Sequence, residues 1–139
     1  MPDCIFCKIV AGQIPCTKVY EDDACLAFLD IGPIAPCHTL LIPKKHYETI
    51  RDMPPDEAAR LARALPRLAT AVQAAAAADS LNLLQANGKA AGQEVPHVHF
   101  HLIPRRPGDG LGYHWPAKKA DFAVLAKEAE AIRRRLGTQ

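Results

Sequence analysis

Short apolar runs separated by turn-forming residues occupy residues 18–43. The runs cover residues 18–20, 25–29 and 38–42, and they are interrupted by Asp22-Asp23 and ended by Pro43. Short apolar segments bounded by turn formers are typical of β-strands. The pattern therefore predicts three strands joined as a β-meander.

After residue 54 the apolar spacing changes from that of a strand to that of a helix. Pro54-Pro55-Asp56-Glu57 is a typical helix start, and Pro66 falls inside the helical pattern, where a proline ring kinks a helix. The alanines of residues 74–78 end this predicted long central helix. Its apolar positions lie 4, 3 and 4 residues apart on one face: Leu61, Leu65, Leu68 and Val72.

Two more strands and a second helix complete the predicted elements. Residues 81–84 and 97–103 have strand patterns, and Pro104 ends the second. Near the C terminus, apolar residues recur every three or four positions before a helix stop at Gly137: Phe122, Leu125, Ala129, Ile132 and Leu136. We expect an α+β fold with a five-stranded antiparallel sheet, in one domain spanning residues 1–139.

Composition and charge narrow the classes of partner. The 139 residues are 49% hydrophobic, and the formal net charge is +2 with no basic stripe apart from the arginines of residues 133–135, so we expect no nucleic-acid polymer as partner. No apolar run approaches the roughly 20 residues of a membrane span, and the N terminus lacks a signal-peptide pattern. We therefore expect a cytoplasmic protein with no membrane partner. The five cysteines, an odd number, favour reduced thiols.

Three of the six histidines follow one another at every second position. In a strand, alternate side chains point to opposite faces and same-face neighbours are about 6.6 Å apart. The three imidazoles therefore share one face, and the apolar residues between them share the other: His97, His99 and His101 against Val98, Phe100 and Leu102. Imidazole serves as a nucleophile, a proton donor or acceptor, or a metal ligand, and this spacing permits each.

Cys4 and Cys7 form a CxxC pair, which is compatible with redox chemistry, metal binding or chance. The pair opens no clear βαβ unit, which disfavours a thioredoxin-like role. A structural zinc site needs four ligands, and no second CxxC is present. Any further ligands must therefore come from histidines.

These motifs resemble the histidine-triad (HIT) family of nucleotide-binding proteins, in particular its Hint branch and the bacterial zinc-binding type. The triad matches the family pattern of histidines alternating with apolar residues without a gap, and residues 112–116 favour the Hint-like branch. The resemblance covers nearly the whole chain. It rests on residues 4–9, 14–15, 20–22, 27–31, 38–46, 87–88, 92–93, 97–105 and 114–116.

The resemblance implies a role for each matching residue. His99 would attack the α-phosphorus and form a nucleotidyl-histidine intermediate, His101 would lie beside the scissile bond, and His38 would support the histidine cluster. Asp30 would accept hydrogen bonds from the ribose hydroxyls. The base would lie in an apolar slot, with phosphate and leaving-group contacts elsewhere: Ile5, Phe6, Ile9, Phe28 and Ile31 for the base, Asn87 and Gln93 for the phosphate side.

The resemblance also implies a cofactor, an assembly and a reaction. One structural zinc would be held by Cys4, Cys7, His46 and His97, and the chain would form a homodimer. The expected reaction is hydrolysis of purine nucleoside 5′-phosphoramidates and related nucleotide conjugates. Alternatives are a dinucleoside-polyphosphate hydrolase or nucleotidyl transferase of the same superfamily, a metal-dependent hydrolase with the triad as ligands, and a non-catalytic nucleotide-binding protein.

Glu94 departs from the Hint branch, which often has serine at this position. An ionised glutamate cannot donate a hydrogen bond to phosphate and would repel it. Our hypothesis is that the backbone N–H of Glu94 contacts the phosphate while its side chain faces the leaving group. There it would favour amine-bearing substrates such as lysyl conjugates.

Overall fold

A five-stranded antiparallel sheet forms the centre of the computed structural model, which describes residues 3–112 and 116–137. This architecture confirms the predicted fold class. Of the segment 112–116 that favours the Hint-like branch, residues 113–115 lie outside the described residues. In spatial order β1-β2-β3-β5-β4, the strands are β1 (Lys18–Glu21), β2 (Cys25–Leu29), β3 (Thr39–Pro43), β5 (Phe100–Arg105) and β4 (Ser80–Gln85).

Four α-helices accompany the sheet in the described part of the chain: α1 (Ile5–Val10), α2 (Pro55–Ala62), α3 (Leu65–Ala75) and α4 (Phe122–Leu136). Two short 3₁₀ turns cover Ile50–Asp52 and Lys89–Ala91. Helix α1 was not predicted, because six residues are too few to show a helical period in the sequence. None of the described helices is long and apolar enough to cross a membrane.

Alternation along the strands divides the core into two layers. Leu41 and Leu102 point to the face that α2 and α3 cover, where they pack with Leu61 and Leu68. On the opposite face, Leu40 and the other alternate residues pack against α1. The sheet therefore separates a large helical core from a smaller apolar layer, and the triad lies on the side of the smaller layer.

The predicted long central helix is divided into α2 and α3 at residues 63–64. Pro66 has no N–H to donate to the carbonyl of Ala62, and its ring would clash with that carbonyl. The chain closes a tighter turn instead, in which the Ala64 N–H donates to the Leu61 carbonyl at 3.3 Å. The expected kink is therefore a break between two helices, and Leu61 and Leu68 remain buried on both sides of it.

The predicted strand at residues 97–103 begins three residues later than expected, at Phe100. The N–H of Val98 donates to the Tyr47 carbonyl at 2.8 Å, outside the sheet ladder. Ladder pairing of β5 starts only where Phe100 meets Leu41 on one side and Gln85 on the other. The predicted start of the strand was wrong because the alternating pattern continues through residues 97–99, whose backbone is not paired with the neighbouring strands.

Helix α4 agrees with the predicted C-terminal helix and begins at an Asp121 cap, whose side chain accepts from the Ala123 N–H at 2.8 Å. Its apolar stripe is exposed in this chain: Phe122 is 84% and Ile132 is 61% accessible. No residue of α4 is buried. The helical period was thus predicted correctly, but this stripe does not pack on the sheet of its own chain.

Candidate active site and metal centre

The backbone around the triad determines which nitrogen of His99 carries the proton. Nδ1 of His99 lies 2.7 Å from the carbonyl oxygen of His97. A carbonyl can only accept, so Nδ1 carries the hydrogen and donates it. In the neutral ring, Nε2 of His99 is therefore left with a free electron pair, and this buried side chain lines a cavity.

A second hydrogen-bond chain determines the tautomers of His38 and His101. The backbone N–H of Ile34 donates to Nδ1 of His38 at 3.2 Å, so the His38 hydrogen is on Nε2. That Nε2 lies 2.9 Å from Nδ1 of His101 and donates to it. The neutral His101 ring consequently carries its own hydrogen on Nε2, where it is available as a donor. The structure thus brings His38, predicted as a supporting residue, into direct contact with the triad.

Burial keeps these two supporting histidines uncharged. Desolvation, together with the neighbouring His99 and His38 rings, lowers the pKa of His101 to about 4, although the Asp30 carboxylate opposes this shift. Desolvation also lowers the pKa of His38, although the nearby Asp30 carboxylate opposes this effect. Oδ2 of Asp30 lies 3.5 Å from Nε2 of His38. At neutral pH the pair therefore presents neutral imidazoles to the cavity.

One cavity of about 680 Å³ collects most of the predicted site residues, a size typical of small-molecule sites. Phe6, Ile9 and Phe28 line it from α1 and β2, and Ile31 lies at its exposed rim. The remaining predicted residues that line it are Ile5, Asp30, His38, Glu94, His99 and His101. Lining residues that the sequence analysis missed include Cys16, Leu84 and Val95, which belong to no motif, and Ile103, which ends the triad motif.

The cavity lining contains no lysine or arginine within residues 3–112 and 116–137. Its charged side chains are two carboxylates, Asp30 and Glu94. Oδ1 of Asp30 accepts from the Gly32 N–H at 2.8 Å, which orients the carboxylate and leaves Oδ2 with accepting capacity. Glu94 is exposed and makes no hydrogen bond or ion pair with any other described residue. Electrostatically, this cavity favours a substrate group of low negative charge.

Asn87 and Gln93 are not among the residues that line the cavity. Oδ1 of Asn87 accepts from the Ile50 N–H at 2.8 Å. The buried Gln93 amide accepts from the Gly88 N–H at 2.7 Å and donates to the Glu48 carbonyl at 2.7 Å. Both side chains therefore hold neighbouring loops together through hydrogen bonds to the backbone. Their contact with phosphate stays a prediction.

The four predicted metal ligands converge at the other end of the triad. Nδ1 of His97 lies 3.4 Å from Sγ of Cys4 and 3.6 Å from Sγ of Cys7. Nδ1 of His46 lies 3.4 Å from Sγ of Cys7. The candidate ligand atoms of all four residues lie within 4.8 Å of one another. Residues separated by more than 90 positions in the sequence thus form one compact cluster.

The donor set and its surroundings fit a tetrahedral zinc ion. Zinc bonds of about 2.3 Å to sulfur and about 2.0–2.1 Å to nitrogen imply sulfur–nitrogen separations of about 3.5 Å. Nε2 of His97 donates to the Pro43 carbonyl at 2.8 Å, so its Nδ1 is the bare nitrogen that a metal requires. Burial and the adjacent Cys4 raise the pKa of the Cys7 thiol, an effect that a cation between the thiols would reverse.

Two curated relatives align with most of this chain. The adenylylsulfatase HINT3 of Arabidopsis thaliana is 48% identical over 129 residues, which cover 93% of this chain and 64% of the plant protein. The chain thus spans slightly less than two thirds of that relative. The adenosine 5'-monophosphoramidase HNT1 of Saccharomyces cerevisiae is 49% identical over 125 residues, covering 89% of this chain and 77% of the yeast protein.

Solved structures and a family model agree with this alignment. A HIT family protein from Bacillus subtilis superposes with a TM-score of 0.93 at 41% identity, covering 99% of each chain. A zinc-bound histidine triad family protein from Mycobacterium smegmatis superposes with a TM-score of 0.75 at 38% identity, covering 94% of this chain and 98% of that one. The model of the HIT domain matches residues 11–108. With its triad, cavity and relatives in agreement, the chain belongs to the HIT domain family.

Proposed function

We propose that this protein hydrolyses purine nucleoside 5′-phosphoramidates and related nucleotide conjugates at the α-phosphorus. The observation that carries the proposal is the tautomer of His99. Its Nδ1–H donates to the His97 carbonyl at 2.7 Å, and its Nε2 keeps a free electron pair in the cavity. A neutral, oriented imidazole is a competent nucleophile for phosphorus.

The reaction proceeds in two displacements. Nε2 of His99 attacks the α-phosphorus, the bond between phosphorus and the leaving nitrogen breaks, and that nitrogen keeps the electron pair and takes up a proton from solvent water. His101 orients the leaving group by donating from its Nε2–H, which the chain from Ile34 through His38 keeps in place. Water then attacks the nucleotidyl-His99 intermediate and releases the nucleoside monophosphate. Together, the two steps replace one difficult displacement with two easier ones.

Asp30 and the apolar wall supply binding rather than chemistry. Oδ2 of Asp30 accepts from the ribose hydroxyls, since Oδ1 is already bonded to the Gly32 N–H. The base lies between the side chains of α1 and those of β2 and the loop that follows it: Ile5, Phe6, Ile9, Phe28 and Ile31. The names of the relatives, an adenylylsulfatase and an adenosine 5'-monophosphoramidase, support a substrate with an adenylyl group.

The charges of the cavity favour this reaction over two of the alternatives. A dinucleoside polyphosphate carries several negative charges, and the described cavity lining offers carboxylates but no lysine or arginine to neutralise them. A metal-dependent hydrolase would need ligands inside the cavity, where the candidate ligand atoms of Asp30, His38 and His101 lie within 4.8 Å of one another. Nδ1 of His99 and both nitrogens of His38 are already occupied by hydrogen bonds within the protein.

One zinc ion per chain is proposed as a structural cofactor. Cys4, Cys7, His46 and His97 would hold it, and the zinc-bound mycobacterial structure supports such a site in a similar fold. The chemistry that zinc supplies here is cross-linking of the N-terminal segment to the strand region that carries the triad. The ion lies outside the reaction, because His99 and His101 are not members of its cluster.

Trapping the intermediate tests this function directly. Adenosine 5′-phosphoramidate is mixed with excess enzyme, quenched rapidly in alkali, and the protein is examined by intact mass and peptide mapping. We expect one added adenylyl group, located on His99. An adenylyl group located on His101, or turnover without a covalent species at any quench time, would contradict the proposal.

A further inference from the structure

We infer that Phe6 is a positioning residue that couples the Cys4, Cys7, His46 and His97 cluster to the orientation of His99. The kinetic part of this inference rests on the proposed function, whereas its structural part does not. Phe6 lies between the two cluster cysteines in the sequence. In the fold, its ring also lies between the cluster and the nucleophile.

Phe6 contacts both functional histidines through edge-to-face ring packing. The ring centroid of Phe6 lies 5.2 Å from that of His99, at an interplanar angle of 84°. It lies 5.7 Å from that of His97, at an angle of 78°. On another side, His99 meets the ring of His101 at 4.9 Å. Phe6 and His101 together therefore restrict rotation of the His99 imidazole about its side-chain bonds.

The position of Phe6 depends on the cluster as well as on the smaller apolar layer, where its ring lies 5.7 Å from that of Phe28, because α1 is too short to be stable by itself. A six-residue helix is far below the roughly 12–15 residues at which isolated helices become even marginally stable. Its N-terminal cap is Sγ of Cys4, which accepts from the Cys7 N–H at 3.4 Å. Both thiols belong to the cluster. A metal that holds these thiols therefore also holds the helix that carries Phe6.

A second connection reaches His99 through the backbone of His97. The ring of His97 belongs to the cluster, while its carbonyl oxygen accepts the Nδ1–H of His99. The cluster thus influences both the Phe6 ring, which packs beside His99, and the His97 carbonyl, which sets the tautomer of His99. Loss of the metal would therefore make both the Phe6 ring and the His97 carbonyl less ordered. His99 would then sample ring orientations in which its Nε2 no longer faces the α-phosphorus.

The test compares Phe6→Leu with Ile9→Ala in the zinc-loaded protein. Both residues lie on α1 and line the same cavity, but no ring contact with a described histidine involves Ile9. We expect Phe6→Leu to keep its zinc and to slow adenylyl transfer to His99 in single-turnover experiments by about 10- to 100-fold, since a displacement of about 1 Å can cost that much. Ile9→Ala should instead lower kcat/KM mainly through weaker AMP binding.

Imidazole nitrogen NMR at one fixed pH supplies a readout that needs no turnover. In wild type we expect His99 resonances of the Nδ1–H tautomer. Phe6→Leu and chelated wild type should both show a mixed or broadened His99 signal, and Ile9→Ala should not. Phe6→Tyr restores a ring edge and should restore the wild-type signal. Chelation should change the His99 signal less in Phe6→Leu than in wild type, because the connection through the Phe6 ring is already lost there and only the connection through the His97 carbonyl remains.

The inference is overturned if zinc-loaded Phe6→Leu keeps both the wild-type His99 signal and the wild-type single-turnover rate. It is also overturned if chelation shifts His99 equally in wild type and Phe6→Leu. Failure of the proposed function is a different result, in which wild type itself forms no adenylyl-His99. In that case the NMR comparison still decides whether Phe6 positions the ring.

Discussion

The polar groups of His97 each have a different partner in the fold. Its Nε2–H donates to the Pro43 carbonyl, its Nδ1 faces the thiols of Cys4 and Cys7, and its own carbonyl accepts from His99. A substitution at His97 would therefore disturb the metal cluster and the nucleophile together. Residues with a single role, such as His99 and Glu94, are therefore better probes of the site.

His99→Ala should lose at least about 10³-fold in turnover, because removal of a nucleophile is among the costliest active-site changes. AMP should still bind, since Asp30 and the apolar wall remain in place. Steady-state turnover and calorimetric titration with AMP measure the two effects separately. Wild-type turnover in the variant would exclude His99 as the nucleophile.

Glu94→Ser tests whether the exposed carboxylate selects amine-bearing leaving groups. We expect kcat/KM for a lysyl conjugate to fall roughly 2- to 5-fold, the scale of an exposed charge pair, and kcat/KM for adenosine 5′-phosphoramidate to stay unchanged or rise. Glu128→Ser removes the same charge from α4, away from the cavity lining, and is the matched control. Equal loss on both substrates would point to a general catalytic or structural role for Glu94.

The lowered pKa of His101 predicts acid sensitivity. In the folded protein His101 stays neutral down to a pKa of about 4, whereas in the unfolded chain it binds a proton below about 6.5. Unfolding therefore takes up a proton between these values. The stabilising contribution is complete above pH 6.5 and is lost as the pH falls towards 4.

Chemical denaturation from pH 7 to pH 4 measures this effect in wild type and in His101→Gln, whose amide oxygen can still accept from His38. We expect the free energy of unfolding to fall more steeply with decreasing pH in wild type than in the variant. Parallel curves would show that His101 is not buried in its neutral form.

Helix α1 and the strands are stabilised in different ways. The strands are supported by ladder bonds and two apolar faces, so each can tolerate the loss of a neighbour's contact. Helix α1 has six residues, and Phe6 is the only one of them that is buried. Its stability therefore depends on the packing of Phe6 against Phe28 and on the contacts of Cys4 and Cys7 with the cluster histidines.

Cys4→Ser/Cys7→Ser should abolish zinc binding and lower Tm by roughly 5–10 °C. Saturation at a hundred times Kd is worth about 2.7 kcal/mol, and 1 kcal/mol shifts Tm by about 2–4 °C in a domain of this size. Elemental analysis of tag-free protein and calorimetry measure the two effects. Residual activity is expected because zinc does not react.

Cys16→Ser is the control for the zinc measurement, since this thiol lies outside the cluster and the variant should keep its metal. Zinc content that survives the double substitution would contradict the site. Activity abolished by chelation and restored equally by several divalent metals would instead support the metal-dependent hydrolase.

Helix α4 carries apolar residues that the described part of the chain leaves largely exposed. Phe122 and Ile132 are both more than half exposed. Apolar stripes of this kind commonly mark association surfaces. Together with the family resemblance, this exposure supports the proposal that the protein is a homodimer.

Sedimentation equilibrium across a range of protein concentrations checks the assembly. We expect a mass of twice the chain mass at micromolar concentration. A monomer at every concentration would contradict the dimer and would leave the stripe of α4 exposed in solution.

Features that depend on neighbouring residues could be predicted from the sequence. The alternating pattern correctly separated Val98 and Leu102, which lie in the large core, from His99 and His101, which line the cavity. Pro66 marked the place where the central helix is interrupted. These features follow from backbone geometry over a few residues, which is why the spacing of residue types was enough to predict them.

The tautomers of the histidines depend on contacts that form only in the folded chain. The tautomer of His97 is set by the carbonyl of Pro43, 54 residues earlier, and that of His38 by the backbone N–H of Ile34. Backbone groups carry no side-chain signature, so no pattern in the sequence marks them as partners. The cavity charge, the late start of β5 and the wall formed by Phe6 likewise depend on contacts between distant segments. Those contacts exist only once the sheet and α1 have packed together.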